Sequence, residues 1–242
     1  MPTASPRDSG PKVPGPRVPG PRDLRGDRTR SCVVDTNAMT WDPSPAKGVW
    51  RKRLERIGGQ EDGMVTSIVR FDPGCGFPLH RHPEGEEVLV LDGVFEDEYG
   101  VYPTGTVTLL PDGSFHAPFS SDGCTLLVKL RQYRGQDRPT CRIDTNAPDG
   151  WRTVGPGRER FDLYGKEGED YAYLSRIAPG TRVDHHDHPG GEEVFVISGD
   201  LADENGHYRA GTWLRLAAGT SHQPYTQSGC LLYVRLGHLP AG

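Results

Sequence analysis

No stretch of this 242-residue chain approaches the roughly 20 consecutive apolar residues that a membrane-spanning helix needs, and hydrophobic residues make up 34% of it. A transmembrane helix is excluded on that ground. Cysteine is scarce: Cys32, Cys75, Cys124, Cys141 and Cys230 are odd in number and show no Cys-x-x-Cys spacing. A signal-peptide core is also missing, so the expectation is a cytoplasmic protein in a reducing compartment. A basic surplus is lacking over most of the chain. Residues 1–30 carry seven basic side chains against three acids, a net +4, which leaves −9 for the remainder of a chain whose total is −5. Phosphate contacts need a basic face, so neither nucleic acid nor a membrane is expected as a partner.

What the chain has in quantity is glycine (32) and proline (22). These residues cost about 1 and 3 kcal/mol inside helices, so β structure with many turns is expected. From Gly10 the sequence runs GPKVP, GPRVP, GPRDL. The five-residue period rules out collagen, which needs glycine at every third position. With almost no apolar residues to offset ordering entropy, residues 1–30 are expected to form a disordered tail.

The rest is a duplication. Gly74–Leu130 aligns without a gap on Gly180–Leu236 at an offset of 106, with roughly 25 identities in 57 positions. Upstream, Asp35-Thr36-Asn37 matches Asp144-Thr145-Asn146 at an offset of 109. The polar stretch RGQDRPT marks the boundary, giving units at 31–138 and 139–242. Within each unit the apolar runs are short. EEVLVLDG and EEVFVISG alternate and end at Asp-Gly or Ser-Gly, read as turns, and CTLLVKL and CLLYVRL are too short for typical helices. WRKRLERI is read as a strand, by analogy with the alternating Phe161 and Leu163 of its counterpart. Strands at such spacing indicate a barrel or sandwich in each unit.

Six of the nine histidines fall at equivalent places in the two copies. His80 and His82 lie one residue apart in an extended segment, which puts both imidazoles on one face. Glu86 follows, and His116 lies just past the Pro111-Asp112-Gly113 turn. His186, His188, Glu192 and His222 repeat the pattern. A lone histidine on a strand is usually no ligand. A doubled His-x-His-x-x-x-Glu with a distant histidine at constant offset is a reasonable ligand set for a divalent transition metal in each unit. His185 should face away from His186, and His207 and His238 have no counterparts and are read as surface residues.

Gly74, His80, His82, Glu86 and Gly93 at their spacing resemble the first cupin motif, and Gly105, Pro111, Gly113 and His116 resemble the second. Gly180, His186, His188, Glu192, Gly199, Gly211, Gly219 and His222 resemble the same pair, with Ala217 where the family has proline. The resemblance implies an all-β bicupin, two tandem jelly-roll barrels behind the tail. More narrowly, HPEGEEVLVLDGVFEDEYGVYPTGT and GSFHAPFSSDGCTLLVKL resemble the cupin domain of ChrR-like proteins, a group that includes zinc-binding anti-sigma factors and is related to small dioxygenases. The His-x-x-x-Cys-x-x-Cys motif of the anti-sigma members is not found in this sequence, so direct sigma-factor inhibition is not expected.

Four ligands allow two chemistries. Zinc would be closed by three His and one Glu, whereas Fe, Mn or Ni would keep two positions for O2, water or a bidentate ligand. The expected function is binding or sensing of a small molecule, the alternative a non-haem dioxygenase acting on a diketone or aromatic ketone. A purely structural metal-stapled module is a third possibility. No catalytic residue is assigned, and a homodimer is compatible with the resemblance. Asp97-Glu98 and Asp203-Glu204 are read as solvated hairpin acids, Glu87 and Glu193 as pointing away from the ligands, Tyr102 and Tyr208 as packing residues, and Cys124 and Cys230 as small buried hydrophobes.

Overall fold

The structure is a computed structural model that describes residues 23–59, 62–135 and 137–241. The expectation of a tail over residues 1–22 falls outside the described residues. No helix among the described residues is long and apolar enough to cross a membrane, and all five cysteines are free.

Two large antiparallel sheets carry the fold. In the first, Glu86–Asp97 pairs with Thr106–Leu110 on one side and with Cys124–Leu130 on the other, and Met64–Phe71 and Val49–Ile57 follow. In the second, Glu192–Asp203 lies between Thr212–Leu216 and Cys230–Leu236, followed by Tyr171–Ile177, Arg158–Tyr164 and Trp151–Gly155. The two are the tandem barrels that the resemblance implied, and WRKRLERI is a strand as read.

Alternation along these strands creates three cores rather than two. Val88, Val90, Leu126, Val128, Val69 and Phe71 fill the first barrel. Val194, Val196, Leu232, Val234 and Leu214 fill the second. The intervening residues Ile68, Leu89, Leu109 and Leu127 turn outward and pack against Leu174, Phe195, Trp213 and Tyr233 of the other barrel. Strands buried on both faces read as near-continuous apolar runs, which is why VLVL and CLLYV look as they do. Burying each such side chain contributes about 1.5–3 kcal/mol.

The turn expected at Asp92-Gly93 is instead a bulge within one long strand. Register shifts there, and the equivalent shift occurs before Gly199. Gly93 and Gly199 have φ of 76° in both copies. A Cβ on Gly93 would lie 2.2 Å from the Gly123 carbonyl oxygen, so a side chain is excluded by contact as well as by conformation.

Each unit lends its first strand to the other barrel. Cys32–Asp35 pairs with Thr212–Leu216, and Cys141–Asp144 pairs with Thr106–Leu110. The repeated Asp-Thr-Asn tripeptides latch these strands. Thr36 donates its backbone N–H (3.0 Å) and hydroxyl (2.7 Å) to the Gly211 carbonyl, and Asn37 Nδ2 donates to Ala210 O at 2.8 Å. Thr145 and Asn146 do the same to Gly105 and Thr104. Units cut at 138/139 therefore follow chain order but not the sheets.

Residues 23–30 correct the expected tail, because they are folded against both barrels. Arg215, 2% exposed, donates to the carbonyls of Arg25 (2.7 Å), Asp27 (2.8 Å) and Arg30 (3.2 Å) and to the buried Glu55 carboxylate. Leu24 pairs through its backbone with Arg56. A buried guanidinium needs acceptors, and the backbone carbonyls of this segment supply three of them. His238 is also corrected. Its side chain is 4% exposed and lies 3.2 Å from Glu193, because the chain end tucks under the second barrel through Gly237 N–H to Gly191 O and Leu239 N–H to Gly190 O. A chain beginning at Ser31 is expected to lose about 2 kcal/mol or more in urea denaturation through the acceptors Arg215 forfeits. Unchanged stability would contradict this role for residues 23–30.

Candidate metal centre

Two short hairpin ladders place the histidines. His80–His82 pairs antiparallel with Ser114–His116, with His80 opposite His116. His186–His188 pairs with Thr220–His222, with His186 opposite His222. Alternation puts the two histidines of each first strand on one face, and direct opposition adds the third. Ring centroids lie 4.6 Å (His80–His82), 4.7 Å (His82–His116) and 5.4 Å (His80–His116) apart in the first barrel. In the second they are 4.8, 4.9 and 4.9 Å apart.

The fourth residue enters from the long strand of each sheet. Glu86 Oε2 lies 3.5 Å from His82 Nε2 and 3.3 Å from His116 Nε2. Glu192 Oε2 lies 3.5 Å from His188 Nε2 and 3.6 Å from His222 Nε2. The donor atoms of His186, His188, Glu192 and His222 all fall within 4.8 Å of one another. In the first barrel His80, His82 and His116 meet that distance as a group, and Glu86 is held at their edge by the two contacts above.

The hydrogen bonding fits a cation at the centre. Nδ1 of His80 faces Pro78 O at 2.8 Å and Nδ1 of His186 faces Asp184 O at 2.9 Å, which leaves each Nε2 with a lone pair. His116 and His222 direct Nδ1 to Asp97 Oδ2 (3.3 Å) and Asp203 Oδ2 (3.0 Å). Six buried atoms then have no hydrogen-bond partner: Nε2 of His82, His116, His188 and His222, and Oε2 of Glu86 and Glu192. Such orphaned groups cost about 1–3 kcal/mol each, and one divalent ion in each barrel would satisfy the three found there.

Asp97 and Asp203 correct the sequence reading. Expected as solvated turn acids, they have side chains 2% and 1% exposed, and each also accepts a hydroxyl, Tyr102 at 2.8 Å and Tyr208 at 2.9 Å. Burial works against both carboxylates, yet hydrogen bonds from the histidine, the tyrosine and a backbone N–H hold each below the usual range. An ionised acceptor at Nδ1 orients the ring and makes Nε2 a better ligand. In the first barrel the exchanged strand adds Arg142, whose Nε donates to Tyr102 Oη at 2.7 Å. Glu98 and Glu204 accept the backbone N–H of Ala117 (2.8 Å) and Gln223 (3.1 Å), anchoring the residue after each last histidine. The doubled Asp-Glu at the offset of 106 was the signal, and position in a hairpin hid it.

The two clusters differ in where one proton rests. In the first, burial opposes charge, but Asp97 and Glu86 push His116 up to about 9, while His82 and His116 hold Glu86 down at about 2. In the second, burial and the neighbouring Asp203 push Glu192 up to about 8, and burial depresses His188 to about 3. Coordination requires neutral imidazoles and an ionised carboxylate. Each site would therefore release that proton on taking a cation, and rising pH favours capture.

Both clusters open on a cavity, about 240 Å³ in the first barrel and about 650 Å³ in the second. Tyr102 and Tyr208, expected as packing residues, are buried but also donate to Asp97 and Asp203. His185 is exposed, and His207 is 64% exposed beside Asp200. Burial raises the thiols of Cys124 and Cys230 to about 11 and about 12, as befits small packed hydrophobes. Glu87 and Glu193 do point away from the ligands, into the core between the barrels.

Residues 29–134 and 141–240 each match the family model of the ChrR cupin-like domain. The chain belongs to the ChrR cupin-like family. Among curated proteins no sequence match was found. Several solved structures share the fold of this ChrR-like bicupin. A provisionally assigned dioxygenase of Nostoc punctiforme superposes with a TM-score of 0.72 at 15% identity, over 88% of this chain and 85% of that one. A provisionally assigned glyoxylate-induced protein of Pseudomonas aeruginosa gives 0.68 at 12%, over 95% and 97%. Oxalate decarboxylase of Bacillus subtilis gives 0.59 at 13%, over 87% and 78%.

Asp203→Asn keeps the shape but weakens the acceptor at His222. Metal affinity of the second site is expected to fall about 10- to 100-fold with the first unaffected, as read by competition with a chromogenic chelator. Equal affinities before and after the change would contradict the orienting role.

Proposed function

We propose that this ChrR-like bicupin holds one divalent ion in each barrel, through His80, His82, Glu86 and His116 and through His186, His188, Glu192 and His222, and uses the ions to bind or sense a small molecule. The six buried, partnerless atoms that face one another carry this reading. The cavities beside them favour ligand binding over a purely structural staple, which would need no room beyond the ion.

A metal here would supply a Lewis acid of formal charge +1 after the glutamate is counted, suited to an enolate or carboxylate oxygen. The chain's own contribution is orientation. Asp97 and Asp203 fix the imidazoles, and the apolar walls keep bulk water from competing.

A second reading, a non-haem dioxygenase acting on a diketone or aromatic ketone, shares this ligand set. It is supported by the open cavities and by the Nostoc punctiforme neighbour, which is described as a dioxygenase. Another neighbour, the Bacillus subtilis oxalate decarboxylase, contains Mn(II) centres, which supports an ion that prefers more than four ligands.

Metal analysis of natively purified protein, followed by O2 electrode measurements with acetylacetone after loading with Fe²⁺, separates the two. Two metals per chain with no O2 uptake are expected for a binding protein, and sustained uptake for the oxygenase. His116→Ala and His222→Ala should each leave one metal per chain. Two retained metals in both variants would overturn the ligand assignment.

A further inference from the structure

The two barrels share ligands but not walls. At the offset of 106, Phe71, Phe77 and Phe95, which line the first cavity, become Ile177, Val183 and Leu201, which line the second. Loss of three rings widens the space from about 240 to about 650 Å³. The opposite change occurs at the back of the second cavity, where Tyr173 stands in place of Ser67.

Arg160 lines this larger cavity together with His186, His188, Glu192 and His222. Its guanidinium stacks on the Tyr173 ring at 4.0 Å and reaches the Tyr171 hydroxyl at a long 3.5 Å. Its Nε is buried without a hydrogen-bond partner. The neighbouring acid Asp162 is already taken, accepting Arg152 Nε at 2.9 Å and Nη2 at 3.2 Å as well as the Tyr171 hydroxyl. Half-buried Arg160 thus forms no ion pair among the described residues, although a buried Nε–H is costly to leave unpaired. Arg158 lines the same cavity, as do the acids Glu167, Glu169, Asp184 and Asp187. Arg51, opposite Val69 as Arg160 is opposite Ser175, is its equivalent in the first cavity, where it stacks on Phe77 at 5.6 Å and is partnered.

We propose that the second barrel is the ligand-binding barrel and that Arg160 receives the carboxylate of a monoanion whose apolar body lies against Ile177, Val183 and Leu201. The inference rests on the metal reading above, since a cation at the four-residue cluster would reinforce the pull on an anion. It assigns unlike roles to two sites with identical ligands. In the first cavity Phe71, Phe77 and Phe95 occupy the space where this body would lie.

Full-length protein loaded with Zn²⁺ and titrated calorimetrically with benzoate and with its neutral isostere benzamide tests this. One benzoate per chain is expected, with benzamide at least tenfold weaker. Arg160→Gln should weaken benzoate about tenfold or more, Arg160→Lys should restore part of the loss, and Arg176→Gln on the exposed surface should behave as the parent chain. Metal content and thermal unfolding are measured for each variant. With two metals bound, failure to bind benzoate, equal binding of benzamide, or unchanged binding by Arg160→Gln would overturn the proposal. A chain that takes up no metal would overturn the metal reading beneath it instead.

Discussion

Two adjacent glutamates in each copy set the terms for the whole molecule. Because successive side chains on a strand face opposite ways, Glu86 and Glu192 enter the barrel interiors while Glu87 and Glu193 enter the core between the barrels. None of the four is more than 6% exposed. A buried carboxylate is tolerated when it is paired and hydrogen-bonded. Inside the barrels the histidines and, by inference, a cation do this. Between them, Lys129 Nζ meets Glu193 at 2.5 Å, Trp213 Nε1 donates to Glu193 at 2.8 Å, and Tyr164 donates to Glu87 at 3.0 Å. Lys129 and His238 outweigh burial and hold Glu193 well below the usual carboxylate range. Glu87, facing Arg235 and Lys129 less directly, is raised by burial. A buried pair such as Lys129–Glu193 is weak evidence for net stability, because desolvation offsets its attraction.

That interface explains why the units remain a pair. Lys129 and Arg235 are equivalent positions, as are Gln132 and His238. Lys129 reaches across to Glu193, whereas Arg235 pairs within its own unit with Asp170 at 2.8 Å through both Nε and Nη2, and across to Gln132. Duplication supplied the symmetry, and divergence then broke it at the interface and in the cavity walls while the metal ligands stayed alike. The exchanged first strands bind the barrels further, since neither sheet is complete without residues from the other unit.

Much of this was legible from the residues alone. The doubled His-x-His-x-x-x-Glu and distant histidine survive at constant offset because a ligand set depends on local spacing on strands, and local spacing is what a sequence displays. The strand character of the apolar runs was legible for the same reason. What was hidden depends on long-range neighbours. Asp97 and Asp203 sit in a hairpin, where acids are ordinarily solvated, and their burial follows from the histidine that folds over them. His238 had no histidine counterpart to draw attention to it, although its equivalent Gln132 is equally a buried polar residue between the barrels. Residues 23–30 are as polar in sequence as the segment that precedes them. Their order comes from Arg215, nearly two hundred positions away. Strand exchange leaves no trace in composition, because Cys32–Asp35 would pair as readily with its own barrel by pattern alone.

The two His₃Glu clusters are proposed as metal sites. Crystals of natively purified protein, with anomalous diffraction collected at the absorption edge of whichever metal elemental analysis finds, test this most directly. Two anomalous peaks per chain are predicted, each about 2.0–2.2 Å from three imidazole nitrogens and one glutamate oxygen. Peaks elsewhere on the chain, or none within the barrels, would contradict it.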